Sequence, residues 1–203
     1  MARRSFFGLG AKAAILLAVL GAEAAGLVHD LYFTAPPPRD GIVLDGLIPD
    51  THRQAAPDFA FTGEDGSAHR LRDFRGRPII LHFWAGWCSP CVAEFPMLVQ
   101  FTAVQQGAAV LVALSSDADS AAMRAFITRQ SAETRDRLRH PFIHIALDEG
   151  REITRALFGV EKYPETILID AQQRIAKKIP GLAAWHSAEA RQWLEALKQD
   201  TRR

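Results

Sequence analysis

Cysteine is scarce in this sequence: Cys88 and Cys91 are the only two among 203 residues. So few sulfurs exclude a disulfide-stapled scaffold, and the fold has to be held by its apolar core. No second cysteine pair is present to complete a four-thiolate zinc site, and the seven histidines are scattered. Residue 92 is Val, so the C-x-x-C-H required for covalent haem attachment is missing. An excess of charge is also lacking. The formal net charge is +1, and the basic residues are spread rather than striped, which leaves no electrostatic case for nucleic acid. Internal repeats and heptads are absent, so neither a solenoid nor a coiled-coil assembly is indicated.

What is present is ordinary for a globular chain, 48% hydrophobic and 23% charged. The length suits one domain with an extension. That extension is the N-terminus. After Met1-Ala2-Arg3-Arg4, residues 6–28 are mostly apolar, interrupted by Lys12 and Glu23. As a helix this segment would run about 34 Å, enough for a bilayer core of roughly 30 Å. One reading is an uncleaved anchor with Arg3 and Arg4 on the inner side. The other is a cleaved signal peptide with Ala22-Glu23-Ala24 as an A-x-A site, and Arg3-Arg4-Ser5-Phe6-Phe7 resembles a twin-arginine export signal. A buried core helix is the remaining alternative, and the anchor is preferred. Anchor and signal peptide both carry the domain to the periplasmic, extracytoplasmic side, where disulfides form and persist.

Residues 29–54 read as an extracytoplasmic linker, stiffened by Pro36-Pro37-Pro38, and residues 55–203 as the folded domain. Asp58 to Phe61 predicts a short strand, turned at Asp65-Gly66. Pro78 to Trp84 is a nearly continuous apolar run, as in a buried central strand. From Ser89 the period becomes helical, with Val92, Phe95, Leu98 and Val99 assigned to one face and Pro96 expected to kink the helix. Residues 110–114 predict a second buried strand. A second helix around Met123, Phe126 and Ile127 follows the capping candidates Asp117 and Asp119. Residues 133–140 are read as an exposed helix end and loop. A strand at 142–145, a short helix at 152–158 and a hairpin of 166–169 with 175–179 come next. A last helix is capped by Ser187, with Ala190, Trp193, Leu194 and Leu197 inward. This alternation predicts an α/β fold in which helices flank a mixed central β-sheet.

Two cysteines three positions apart have several possible uses. A structural staple should close a long loop to constrain the unfolded chain, and this ring is short. A metal site would need histidines from elsewhere. A redox pair accounts for more. Cys88 lies where a buried strand ends and a helix begins, and the unpaired N–H groups and helix dipole there stabilise a thiolate. Cys91 lies one turn further along. Pro90 sits in the first helical turn, where its missing N–H costs little.

These residues carry a resemblance. Trp84-Ala85-Gly86-Trp87-Cys88-Ser89-Pro90-Cys91 resembles the active-site motif of thioredoxin-fold proteins. With Glu94, Phe95 and Pro96 it resembles the membrane-tethered TlpA/ResA/CcmG group of thiol–disulfide oxidoreductases. Phe158-Gly159-Val160 followed by Tyr163-Pro164-Glu165-Thr166 is similar to that group's second motif, and the insertion at roughly 116–141 is also group-like. The resemblance covers about residues 55–200. It implies a thioredoxin-like fold with a central insertion. It also implies a redox-active Cys88–Cys91 disulfide with no other cofactor and no metal, and a cis-proline at Pro164 that leaves Tyr163 to pair with substrate. The roles implied are attack by Cys88 and resolution by Cys91. Partners would be disulfide-bearing proteins and a membrane thiol electron donor, and one implied task is cytochrome c maturation, with apocytochrome c as substrate.

Four supporting positions complete the expectations. Trp87 should shape the surface next to Cys88. His82, six residues before Cys88, is expected to point toward Cys91 and relay a proton, with a plain core histidine as the alternative. The resemblance gives Glu94 a part in tuning the pair, with a first-turn acid favoured by the helix dipole as its alternative. Lys162 stands where relatives often have Gly. Trp185 and His186 are read as loop residues without a function. The leading function is a protein-disulfide reductase. The alternative is a metal-handling or binding module without turnover, although copper-insertion relatives space their cysteines one residue wider. A thiol peroxidase would need Thr at position 85, which is Ala.

Overall fold

The structure is a computed structural model and describes residues 46–200. The segment read as anchor or signal peptide, and the linker as far as residue 45, lie outside the described residues. Among the described residues no helix is long and apolar enough to cross a membrane. From Gly46 onward the chain lies along the domain. Ile48 N–H donates to the Ala176 carbonyl, Ile175 N–H to that of Gln54, and Arg53 and Arg174 both pair with the buried Asp170.

A short hairpin comes first, β1 (Ala60–Thr62) and β2 (Ala68–Arg70), turned at Gly66 with φ +83°. Then follow β3 (Ile79–Trp84), α1 (Ser89–Ala103), β4 (Val110–Ser115), α2 (Ser120–Thr128), α3 (Ala132–Arg137) and β5 (Ile143–Leu147). A 3₁₀ turn at Glu149–Arg151 and a π-helical turn at Glu152–Leu157 lead to β6 (Glu165–Ile169), β7 (Ile175–Pro180) and α4 (Ala188–Asp200). Five strands form one sheet in the order β5-β4-β3-β6-β7. β3, β4 and β5 run parallel, so each connection needs a crossover, supplied by α1 and then by α2 with α3. β6 and β7 are antiparallel and join through a hairpin.

The two central parallel strands are buried at every position. That is why both read as apolar runs rather than alternating ones. Trp84 on β3 packs against Phe95 of α1 and Phe126 of α2, each at 4.7 Å between ring centroids, which fixes both helices over one face of the sheet. Alternation along β3 puts His82 on the face of Trp84 and Phe83 on the other, where it meets Phe158. α4 follows Ser187, whose hydroxyl accepts from Ala190 N–H, with Ala190, Leu194 and Leu197 buried.

Two local expectations are corrected. Val92 is exposed, because the inward stripe of α1 runs through Cys91, Glu94, Phe95, Leu98 and Thr102. α1 runs from Ser89 to Ala103 with Pro96 inside it. Residues 133–140 are not the frayed end of α2 but include a separate helix, α3, capped by Ser131, whose hydroxyl accepts from Thr134 N–H.

Candidate active site

The site is built where β3 gives way to α1. After Trp84 the chain turns, with Cys88 N–H donating to the Ala85 carbonyl at 3.2 Å. Cys88 is the N-cap of α1, and Ser89 and Pro90 occupy its first turn. An N-cap side chain faces the unpaired N–H groups of the helix. At this N-cap the side chain is a sulfur: Cys88 Sγ accepts from Cys91 N–H at 3.3 Å. Cys88 and Cys91 are joined in a disulfide, with their Cα atoms 5.2 Å apart. Their accessibility differs. Cys88 keeps 6% of its surface open, and Cys91 keeps none. An external sulfur can therefore reach Cys88 and not Cys91. Once the bond is reduced, the Cys91 N–H and the helix dipole favour the thiolate of Cys88.

The turn before the cysteines is latched from the neighbouring strand. Both carboxylate oxygens of Asp117 accept from Gly86 N–H, at 3.0 and 3.1 Å, and one also accepts from the Ser115 hydroxyl at 2.7 Å. A Cβ at Gly86 would come within 3.1 Å of Phe126 Cβ and 3.3 Å of the Asp117 oxygens, so only glycine lets the latch close without displacement. Asp117 is thus not a cap of α2. Asp119 is, accepting from Ala122 N–H.

On the surface side, Trp87 is 63% exposed next to Cys88. Its ring meets Tyr163 edge-on at 5.7 Å, and the Tyr163 hydroxyl donates to Ser116 Oγ at 2.8 Å. The Tyr163–Pro164 peptide is cis, and the Pro164 carbonyl accepts from Gly181 N–H. The two sequence motifs, 73 residues apart, therefore meet through Trp87 and Tyr163. Lys162, in the loop between, is exposed.

Two buried titratable groups stand behind the disulfide. Glu94, three residues beyond Cys91 on the same buried face of α1, has no exposed surface. One oxygen, Oε1, accepts from Trp185 Nε1 at 2.6 Å and from Ala183 N–H at 2.8 Å. The other, Oε2, is buried with no hydrogen-bond partner among the described residues. Burial pushes the Glu94 carboxyl above its ordinary range, and the two donors on Oε1 pull the other way. His82 is fully buried. Its Nδ1 lies 2.9 Å from Thr166 Oγ1, two residues past Pro164, and its Nε2 has no partner among the described residues. Desolvation lowers its pKa to about 3, so it is neutral at physiological pH. The bond His82 makes is thus to β6, and a proton shuttle working near neutrality does not suit its low basicity.

Sequence reading missed Trp185, the ligand of Glu94 across 91 residues. It also missed the latch by Asp117, whose only signal was an acid two residues beyond a buried strand. Among the described residues no three His, Cys, Asp or Glu side chains gather as metal ligands.

Comparison with known proteins agrees with this geometry. Residues 51–194 match the redoxin family model. A thiol–disulfide oxidoreductase ResA from Geobacillus thermodenitrificans is 31% identical over 144 residues, covering 70% of this chain and 76% of that protein. A Chlorobium tepidum structure described as thiol:disulfide interchange protein DsbE superposes with a TM-score of 0.61 at 28% identity, over 72% of this chain and 96% of the other. The exposed lipoprotein thioredoxin of Streptococcus pneumoniae superposes with a TM-score of 0.55 at 25% identity, over 70% and 99%.

Proposed function

This chain belongs to the redoxin family, as a ResA-like thiol–disulfide oxidoreductase, and from that membership we propose that it runs in the reducing direction on partner proteins outside the cytoplasm. The Cys88 thiolate attacks one sulfur of a partner's disulfide. The partner's S–S bond breaks, its other sulfur leaves as a thiolate and takes up a proton, and a mixed disulfide with Cys88 remains. Cys91, once deprotonated, attacks Cys88 Sγ and expels the partner's second sulfur. The Cys88–Cys91 bond re-forms and two electrons have passed to the partner. An external thiol donor, in this reading a membrane protein, returns the pair to the dithiol.

One observation carries the assignment of roles: Cys88 is the sulfur that retains access, at a helix N-terminus, while Cys91 is enclosed. Trp87, Tyr163 and Pro164 would form the surface along which an extended substrate lies. Glu94 would serve as the buried group that exchanges a proton with Cys91 through its unpartnered oxygen. In the same proposal residues 6–28 anchor the chain in the cytoplasmic membrane, cleavage after Ala24 being the alternative. Cytochrome c maturation is the task proposed, because an apocytochrome C-x-x-C-H must be a dithiol before haem is attached. The test is insulin reduction driven by dithiothreitol. Acceleration by the wild-type chain is expected and is lost in Cys88→Ser. A Cys88→Ser protein as active as wild type would refute the assignment.

A further inference from the structure

We propose that the cleft beside Trp87, edged by Arg151 and Arg155, is a specificity subsite that takes an acidic residue flanking the disulfide of a protein substrate. The inference rests on the exchange reaction proposed above and adds the class of substrate it prefers. The cleft has a volume of about 500 Å³ and is lined by Trp87, Ser116, Asp117, Ala122, Arg151 and Arg155. Trp87 precedes Cys88 in the chain. An extended substrate advances about 3.3 Å per residue, so a side chain two or three positions from the attacked cysteine is within reach of this cleft.

The charges in the cleft are unbalanced. Both guanidinium groups are exposed, and neither has a hydrogen bond or an ion pair among the described residues. Some other arginines pair with carboxylates, Arg70 and Arg72 with Asp58, Arg137 with Glu133 and Arg139 with Asp136, while Arg124 and Arg191 bond only uncharged oxygens, so what sets Arg151 and Arg155 apart is their place on the cleft beside Trp87. The acid that does line the cleft, Asp117, is bonded to Gly86 N–H and the Ser115 hydroxyl, neutral donors that leave its charge in place, so the lining sets two positive charges against one negative. Asp119 caps α2. Glu149 and Glu152 lie on the arginine segment but are not among the residues lining the cleft.

The segment carrying the arginines is also held from beneath. Buried Asp148 accepts from Ile153 N–H at 3.1 Å, Thr154 N–H at 2.7 Å and Thr154 Oγ1 at 2.5 Å. Thr154 Oγ1 in turn lies 3.5 Å from Ser116 Oγ, the acceptor of the Tyr163 hydroxyl. The arginines, four positions apart, are thus tied through one hydroxyl chain to the Trp87–Tyr163 surface. Guanidinium groups match a carboxylate in charge and in hydrogen-bond donors. Because the groups face water, their effect is on encounter and orientation more than on depth of binding, and it is sensitive to salt.

The experiment uses the purified full-length chain and three disulfide-closed peptides that differ only in the residues flanking the cystine: Asp, Asn or Lys. Rate constants for reduction are read by tryptophan fluorescence at low ionic strength and again in 0.5 M salt. The wild type is expected to favour Asp over Asn by about fivefold and to disfavour Lys, with both ratios shrinking in salt. In the double variant Arg151→Asn/Arg155→Gln the Asp-to-Asn ratio should fall to near one. Asparagine is chosen because Arg151 has φ +60°. Arg155→Lys should keep most of the preference. A wild-type ratio near one, or a ratio unchanged in the double variant, would overturn the subsite. If no peptide is reduced at all, the reducing direction fails instead. The same ratios are then read with oxidised protein and the dithiol forms of the peptides, which still decides for or against the subsite.

Discussion

Two stretches of chain meet around the start of α1, and they contribute different things. Residues 84–91 hold the reacting sulfurs, and their geometry is local: the Cys91 N–H reaches Cys88 Sγ three residues away. Residues 183–185 hold no reactive group. They reach Glu94 from 89 and 91 residues away, through Ala183 N–H and the Trp185 indole. The first stretch fixes which atoms react. The second fixes the environment of a buried acid one turn behind them. Nucleophile position can thus be written in a short motif, while proton affinity is assembled from the tertiary fold.

If that division holds, damage to the first stretch should abolish exchange and damage to the second should shift its pH dependence. Cys88→Ser should lower disulfide-exchange activity by about a thousandfold or more, since no other nucleophile is placed there. Cys91→Ser should accumulate a mixed disulfide with the partner, visible by non-reducing electrophoresis and mass spectrometry. Glu94→Gln should slow the resolving step by about 100-fold and flatten its pH profile, as removal of a positioned proton-transfer group does. An unchanged profile would confine Glu94 to a structural bond with Trp185.

His82 sharpens the contrast from a third direction, because its effect should fall on stability. Its folded pKa of about 3 lies below the unfolded value of about 6.5. The stabilisation from keeping it neutral is therefore present above about pH 6.5 and is lost as pH falls toward 3. The loss approaches about 1.4 kcal/mol per pH unit for one proton. His144, lowered to about 4 mainly by burial, acts in the same sense. Chemical denaturation at pH 7, 6 and 5 should give a slope shallower by about one proton in His82→Gln than in wild type. Equal slopes would mean that His82 is not held neutral. The smallest effect is expected for Trp185→Phe. It removes one of two donors to Glu94 Oε1, so the Glu94 carboxyl should move further up and the pH profile of resolution with it. The cost in stability should be about 1–2 kcal/mol.

The parts of the molecule legible in the sequence are those whose physics is short-range or repetitive. Residues 78–84 and 110–114 read as buried strands because both faces of those strands are covered. The cysteine pair announced itself because a thiolate at a helix start needs only neighbouring residues. The second motif added Tyr163 and Pro164. What escaped depended on contacts that no local pattern encodes. Trp185 looked like any loop aromatic until the fold brought it to Glu94. Asp117 sat where a cap was expected, but burial at the end of β4 turned its carboxylate toward Gly86. Val92 shares a helical face with Phe95, Leu98 and Val99 in the apolar pattern, whereas the buried stripe is set by Cys91, a sulfur that an apolar pattern passes over.

The direction in which the Cys88–Cys91 pair passes electrons separates a reductase from an oxidase. The most direct measurement is its reduction potential, by titrating the full-length chain against glutathione and dithiothreitol buffers with tryptophan fluorescence as the readout. A value near that of thioredoxin, about −270 mV, is predicted for a protein that reduces its partners. A value near about −120 mV, that of a strong oxidant, would contradict it.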